Sequence, residues 1–473
     1  MSGLIDASST LFAELHGEHT DDQNPATGDV LATFRLATQE DVAAAAQPAW
    51  AATPPDARAE IFYKVAELLE EHTEELIGWH IREGGAPMAR APHEVHATRG
   101  EVLAASALLQ EPYGQLLPSS YPRLSFARRI PVGVVGVIVP WNAPLILAMR
   151  AVAPALALGN AVVLKPDHQT PVFGGLVLGR LFEEAGLPPG LLAVLPGPGE
   201  IGAAVVTDPN VTMVSFTGST RAGREVARAA AETTKKVSLE LGGNSPLIVL
   251  DDADVEAAAG LGAWGTNLHQ GQICLTTSRH LVHESIAADY VAALAAHADK
   301  LRVGDPSGDD IQVGPIINAK QADNVQRIVD ESVAAGATVR AGGRREGLFY
   351  WPTVLDGVTE SMPAFSEEIF GPVSPVTIFS DDADAVRLAN ATEYGLVASI
   401  VTKSPNRGLA LAERLTAGMV HINDATLQDE PIVPFGGTGA SGNGGRAGSL
   451  TNWEEFTTYQ WVTLRDEPAT YPF

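Results

Sequence analysis

From Pro131 onward the chain repeatedly sets a short Val/Ile-rich run against a helical stretch, and no other feature narrows the fold so far. GVVGVIVP (133–140) leads into a helical pattern through Ala155. NAVVLKP (160–166) leads into one through Glu183, and LLAVLPG (191–197) into one through Val206, before TMVSFTG (212–218). Continuous apolar strands that alternate with helices build a parallel sheet buried on both faces, so the class is α/β. After Gly242-Gly243 the alternation restarts with PLIVLDD, RHLVHE, VSPVTIF, LVASIVT and GMVHIND, which predicts a second α/β unit. Upstream, Asn24-Pro25-Ala26-Thr27-Gly28 predicts the turn of a small hairpin, and 43–109 reads as largely helical. The stretch 112–129 reads as an irregular arm, and 456–473 as a strand followed by a tail.

Composition excludes several classes. A net charge of −26 works against phosphate-backbone binding, so no nucleic-acid partner is expected. No apolar run is long enough to span a bilayer, so no membrane partner is expected either. The start of the chain has no secretory pattern, and a single cysteine precludes an internal disulfide. A cytoplasmic setting is therefore expected.

Several residues have chemistry suited to a site. Gly197-Pro-Gly199-Glu-Ile-Gly202 matches a dinucleotide fingerprint, but Pro198 removes a donor and the downstream acid, Glu225, falls within a helical stretch. A strand-to-helix turn near a cofactor is the plainer reading. Gly218-Ser219 through Gly223 opens a helix whose free amides suit a phosphate. Glu240 ends an apolar strand against two glycines, where a general base is one use. Trp141-Asn142 puts an amide donor just past a strand end, the edge where parallel sheets gather ligands. Lys165 and Glu368 have the same character. Cys274 follows Gly271-Gln272-Ile273, which is not a core pattern. Alone, a cysteine is more often a small buried hydrophobe.

Together, PWN (140–142), KP (165–166), FTGST (216–220), LELGG (239–243), GQIC (271–274), EEIFGPV (367–373) and PFGG (434–437) resemble the aldehyde dehydrogenase superfamily in order and spacing. LKPD (164–167), WGTNLHQGQIC (264–274) and HINDATLQDEP (421–431) resemble its bacterial aromatic branch, of benzaldehyde and salicylaldehyde type. The resemblance implies a Rossmann-type cofactor domain (1–111 and 130–241, with 442–455), an α/β catalytic domain (242–441) and a small β oligomerisation arm (112–129 and 456–473). It implies a homodimer or homotetramer, a small-molecule aldehyde substrate, NAD and/or NADP, and no metal.

By the same resemblance Cys274 is the nucleophile, Asn142 the oxyanion donor and Glu240 the deacylating base. Trp141, Lys165, His168, Gly218, Ser219, Gly223, Glu368 and Phe370 line the cofactor site. His168 stands where a glutamate that repels a 2′-phosphate is common, so acceptance of NADP is expected. Asn244 replaces a usual lysine and receives no role. Ala143, Ile146, Arg150, Leu268, Ile273, Leu275, Leu427 and Phe435 are the expected substrate walls; Arg150 reads equally as a surface or subunit-contact residue. The resemblance implies oxidation of a benzaldehyde-like aromatic aldehyde to the acid; a salicylaldehyde- or vanillin-type enzyme, an aliphatic or semialdehyde dehydrogenase, and an inactive structural homologue are the alternatives.

Overall fold

The computed structural model describes residues 3–7, 14–38, 47–448 and 451–471. Two parallel sheets carry the site. The first has the order Leu192–Val194, Ala161–Lys165, Val134–Ile138, Met213–Thr217 and Lys236–Glu240, all parallel. In chain order that is 3-2-1-4-5, the Rossmann-type arrangement, which reverses direction between Val134–Ile138 and Met213–Thr217. A crevice opens beyond the strand ends at such a reversal. The central strands Val134–Ile138 and Ala161–Lys165 are continuous apolar runs because helices cover both faces, and Ala161–Lys165 is buried at every position; the edge strands Leu192–Val194 and Lys236–Glu240 are less buried. Helix Pro144–Ala157 is likewise buried along its whole length and packs on helix Ala91–Leu108.

The second sheet has seven strands, in the order Thr338–Ala341, Thr353–Asp356, Val373–Phe379, Thr277–His283, Ser245–Val249, Val397–Val401 and Met419–Ile422. Only the first pair is antiparallel. The five runs expected after Gly243 are all strands here. Thr338–Ala341 and Thr353–Asp356 were not expected, being only four residues each.

The hairpin is present, with His19–Gln23 paired to Val30–Arg35. Its turn is held by Asn24 Oδ1, which accepts from the Ala26 amide at 2.8 Å. The helical region divides into Gln47–Ala51, Pro55–Glu71, Thr73–Gly84 and Ala91–Leu108; positions 43–46 lie outside the described residues. The arm is more regular than expected. Gly114–Leu116 and Leu124–Pro131 are strands, and Thr457–Leu464 pairs with the latter from Thr457↔Pro131 to Leu464↔Leu124. The first two gave no strand pattern, and the sheet has little core against it: Leu116, Leu124 and Leu464 on one face and Trp461 on the other are exposed, while the third strand is the one expected at the start of 456–473. Among the described residues no helix is long and apolar enough to cross a membrane.

Candidate active site

At the strand ends of the first sheet lies a cavity of about 230 Å³. Trp141 and Asn142 reach it from beyond Val134–Ile138, Gly218 and Ser219 from beyond Met213–Thr217, and Glu240 from the last strand. The second unit contributes Cys274, Gln321, Glu368 and Phe370. A larger cavity of about 620 Å³ shares Trp141, Gly218 and Ser219 with it and runs on past Lys165, His168, Gly199 and Gly202. The two form one cleft with Cys274 at its inner end.

The backbone around Cys274 is unusual. His269, Gln270 and Gly271 have consecutive positive φ of 52°, 58° and 68°. Side chains hold the strained turn in place: Gln270 Nε2 donates to the carbonyls of Gly85 (2.9 Å) and Pro315 (3.0 Å), while Gln272 Oε1 accepts from the Ile317 amide at 3.0 Å. Position 271 must be glycine, since a Cβ there would lie 2.2 Å from the Gly371 oxygen.

Three further glycines make room for the reactive groups. A Cβ at Gly243 would fall 2.4 Å from the Cys274 carbonyl oxygen. One at Gly242 would fall 2.2 Å from Glu368 Oε2, and one at Gly436, with φ of 152°, 2.8 Å from Glu240 Oε1. Gly223 serves packing, because its Cβ would meet Leu241 Cδ2 at 2.3 Å. Helix Thr220–Ala231 is capped by Ser219, whose Oγ accepts from the Ala222 amide at 3.3 Å.

The charged groups feel their burial. Desolvation pushes the Cys274 thiol up to about 12; Glu368 and Glu240 add to this and Arg150 opposes it. Glu240 is held well above the carboxylate range by burial, against Arg150 and Arg446, and neither of its oxygens has a hydrogen-bond partner among the described residues. Burial raises Glu368 to about 7, although its Oε1 accepts from the Gly243 amide at 2.8 Å. Burial lowers Lys165, with Asp167 and Glu200 pulling the other way.

The cleft suits a dinucleotide. It lies at the sheet's switch point, offers a capped helix start and has a T-shaped aromatic pair, Trp141 and Phe370, with centroids 5.6 Å apart. Phe370 adopts a positive φ of 53°, and Gln321 Nε2 pins it by donating to the carbonyls of Ile369 and Phe370, each at 3.0 Å. Gln321 gave no sequence signal, since a lone glutamine in an amphipathic helix reads as surface. Gly199 and Gly202 line the cleft at the start of helix Gly199–Thr207, which supports the plainer reading of that motif. Glu225 does lie in a helix, paired to Arg221 at 3.0 Å. His168 is half exposed, 3.4 Å from Asp167.

The expected substrate walls divide. Ile273, Leu275, Leu427 and Phe435 pack in one apolar cluster with Cys274, joined by Leu396, Val397 and Met419, which sequence reasoning missed. Leu268 does not belong to them: it lines a separate cavity of about 210 Å³ with Trp264 and His297, because the left-handed turn at His269 redirects the chain. Ala143 and Ile146 are packed into the first unit's core, and Leu147 is the residue of that helix that reaches the cavity. The helix is buried on all sides, so helical spacing could not pick out the lining face. Arg150 is not a surface residue. It is buried, bonded to Glu101 (2.9 Å) and Asp429 (2.5 Å), with its guanidinium 4.5 Å from the Phe435 ring centre. Asn244 donates to the Phe365 carbonyl at 2.9 Å, a structural bond.

Sequence and structure comparisons agree with this geometry. The family described as "Aldehyde dehydrogenase family" matches residues 12–462. The chain is 52% identical to a vanillin dehydrogenase from Amycolatopsis, over 95% of this chain and 94% of that protein. It is 48% identical to a benzaldehyde dehydrogenase [NAD(+)] from Pseudomonas putida, over 98% of this chain and 97% of that protein. Its structure is similar to that of a salicylaldehyde dehydrogenase from Pseudomonas putida complexed with salicylaldehyde. The TM-score is 0.93 at 35% identity, with 96% of each chain covered.

Proposed function

Because the chain belongs to the aldehyde dehydrogenase family, we propose that it oxidises an aromatic aldehyde of the benzaldehyde type to the carboxylate, using NAD or NADP. One observation carries the reading: Cys274, Asn142 and Glu240, from three separate segments, line a single cavity at the inner end of a dinucleotide-sized cleft. The aromatic substrate is supported by the names of the relatives and by the apolar cluster of Leu275, Leu427 and Phe435 around Cys274.

In this reading Cys274 Sγ attacks the aldehyde carbon to form a thiohemiacetal. The Asn142 amide and the Cys274 backbone N–H hold the developing oxyanion, and burial of Asn142 strengthens that interaction. The nicotinamide cofactor, when bound, supplies the two-electron acceptor. Glu240 then takes a proton from water, which opens the acyl thioester and releases the acid. The high proton affinity of Glu240 makes it a strong base once ionised. Glu368 would hold the ribose next to the nicotinamide, Phe370 and Trp141 would flank the ring, and Lys165 would reach the adenine-side ribose.

His168 stands in place of the glutamate that repels a 2′-phosphate, so NADP is accepted alongside NAD. The division into cofactor domain, catalytic domain and arm belongs to the same proposal. The exposed edge strand Thr457–Leu464 would pair with another copy in a dimer or tetramer, in the cytoplasm. The test compares kcat/KM for benzaldehyde, salicylaldehyde, vanillin and hexanal with each cofactor. A preference for hexanal refutes the aromatic reading. Turnover with NAD and none with NADP refutes the reading of His168.

A further inference from the structure

Beneath the cavity lies a buried polar cluster with no part in the chemistry above. Glu94, on helix Ala91–Leu108, is fully buried. Its Oε1 accepts from the amides of Leu145 (3.0 Å) and Ile146 (3.4 Å), at the start of helix Pro144–Ala157. That helix begins two residues after Asn142, and its own N-cap residue, Ala143, supplies no side-chain bond. A carboxylate from another helix therefore satisfies its free amides and complements its dipole.

The opposite oxygen, Oε2, lies 3.0 Å from Arg90 Nη2 and 3.3 Å from His80 Nε2, charge contacts without hydrogen-bond geometry. The His80 ring is stacked on Phe173 at 4.7 Å, which fixes its plane. The His269 ring is 5.8 Å from that of His80 and sits against the main chain of Asn142. It opens the left-handed turn that leads to Cys274. Burying four ionisable side chains carries a large desolvation cost. Here they converge on the two segments whose relative placement decides whether Asn142 faces Cys274.

We propose that Glu94 is a positioning residue for the oxyanion site: by capping the helix that follows Asn142, it holds the Asn142 amide against the reacting carbon, with the Arg90 charge beside it. This rests on the reading of Asn142 as oxyanion donor. Glu94 touches no substrate and acts through Asn142 alone. Its removal therefore costs nothing further once Asn142 is gone.

The test is a double-mutant cycle of Glu94→Ala, which removes the accepting oxygen, with Asn142→Ala, read by benzaldehyde oxidation and by iodoacetamide alkylation of Cys274, which builds no oxyanion. Asn142→Ala is expected to lower kcat about 100-fold or more. Glu94→Ala is expected to lower it by at least about tenfold, with KM and the alkylation rate within about twofold of the parent. The double variant is expected to be no slower than Asn142→Ala. Equal losses in both backgrounds, or an equal slowing of alkylation, overturn the proposal. Asn142→Ala at full kcat overturns the oxyanion reading and the proposal with it. Arg90→Met, which frees the carboxylate but keeps it, is run through the same cycle in case Glu94→Ala does not fold. Coupling to Asn142 supports the proposal there, and additivity overturns it.

Discussion

A thiol pushed up to about 12 in the cofactor-free protein makes a quantitative prediction about reactivity. The ordinary value is 9.0, so the shift is three units, and at neutral pH the thiolate fraction falls roughly 1,000-fold. A more basic thiolate is intrinsically more nucleophilic, and a Brønsted slope of about 0.4–0.5 returns roughly 15- to 30-fold. Cys274 should then react with iodoacetamide roughly 30- to 60-fold more slowly than free cysteine at pH 7.5. The sign is fixed by deprotonation: each unit of rising pH increases the thiolate, and the rate, about tenfold, without a plateau below about pH 10. The chain has one cysteine, so mass spectrometry of intact protein reads the rate directly. Glu368→Gln removes the negative neighbour with the largest effect on the thiol and should raise the rate above about pH 7, where that carboxylate is ionised, and leave it unchanged well below. A plateau below pH 9, or a rate equal to that of free cysteine, would refute the argument that burial and Glu368 govern this thiol.

Glu368 binds its proton more tightly when folded, about 7 against an ordinary 4.5. The folded state thus loses stability as pH rises through that window, up to about 3 kcal/mol. Glu368→Gln should raise Tm at pH 8.5 and leave it unchanged near pH 4.5; a shift of equal size at both would count against burial as the cause. Gly243→Ala must displace the Cys274 carbonyl, so kcat should fall about 100-fold. Gly202→Ala, whose Cβ would meet nothing nearer than 3.7 Å, should be tolerated, and matched steady-state kinetics on both decide. Leu427→Ala should alter kcat/KM for aromatic aldehydes several-fold, whereas Leu268→Ala, in its separate cavity, should not; a reversed order would restore the original assignment.

The central strands of the first sheet were readable because they are buried on both faces and appear as uninterrupted Val/Ile runs, which also located Trp141, Lys165 and Ser219 at strand ends. The hairpin at Asn24 was readable from turn chemistry, and the strand Thr457–Leu464 from its run of aromatic and β-branched residues. Gly114–Leu116 and Leu124–Pro131 were not, since both lie in a stretch of mixed polarity with little core against it. Arg150 and Glu94 look like ordinary helix-surface charges until their partners, Glu101 with Asp429 and the Leu145 amide, arrive from distant segments. Leu268 failed for a local reason: two non-glycine residues in left-handed conformation turn the chain just after it, and nothing in side-chain pattern announces that.

The notches at Gly242, Gly243 and Gly436 bear on how such a site can change over generations. Each reactive or ligand-holding group occupies the space where a glycine on another segment has no side chain. Enlarging one of those glycines therefore injures a residue that was never mutated. Conversely, shortening Glu368 or Glu240 leaves a hollow that a side chain at the facing glycine would fill. Lineages with this architecture should vary freely at the apolar wall and keep glycine and acid in lockstep. Redesign for a new aldehyde has the same asymmetry: Leu427 and Met419 are open to exchange one at a time, and the glycine-backed groups only in pairs.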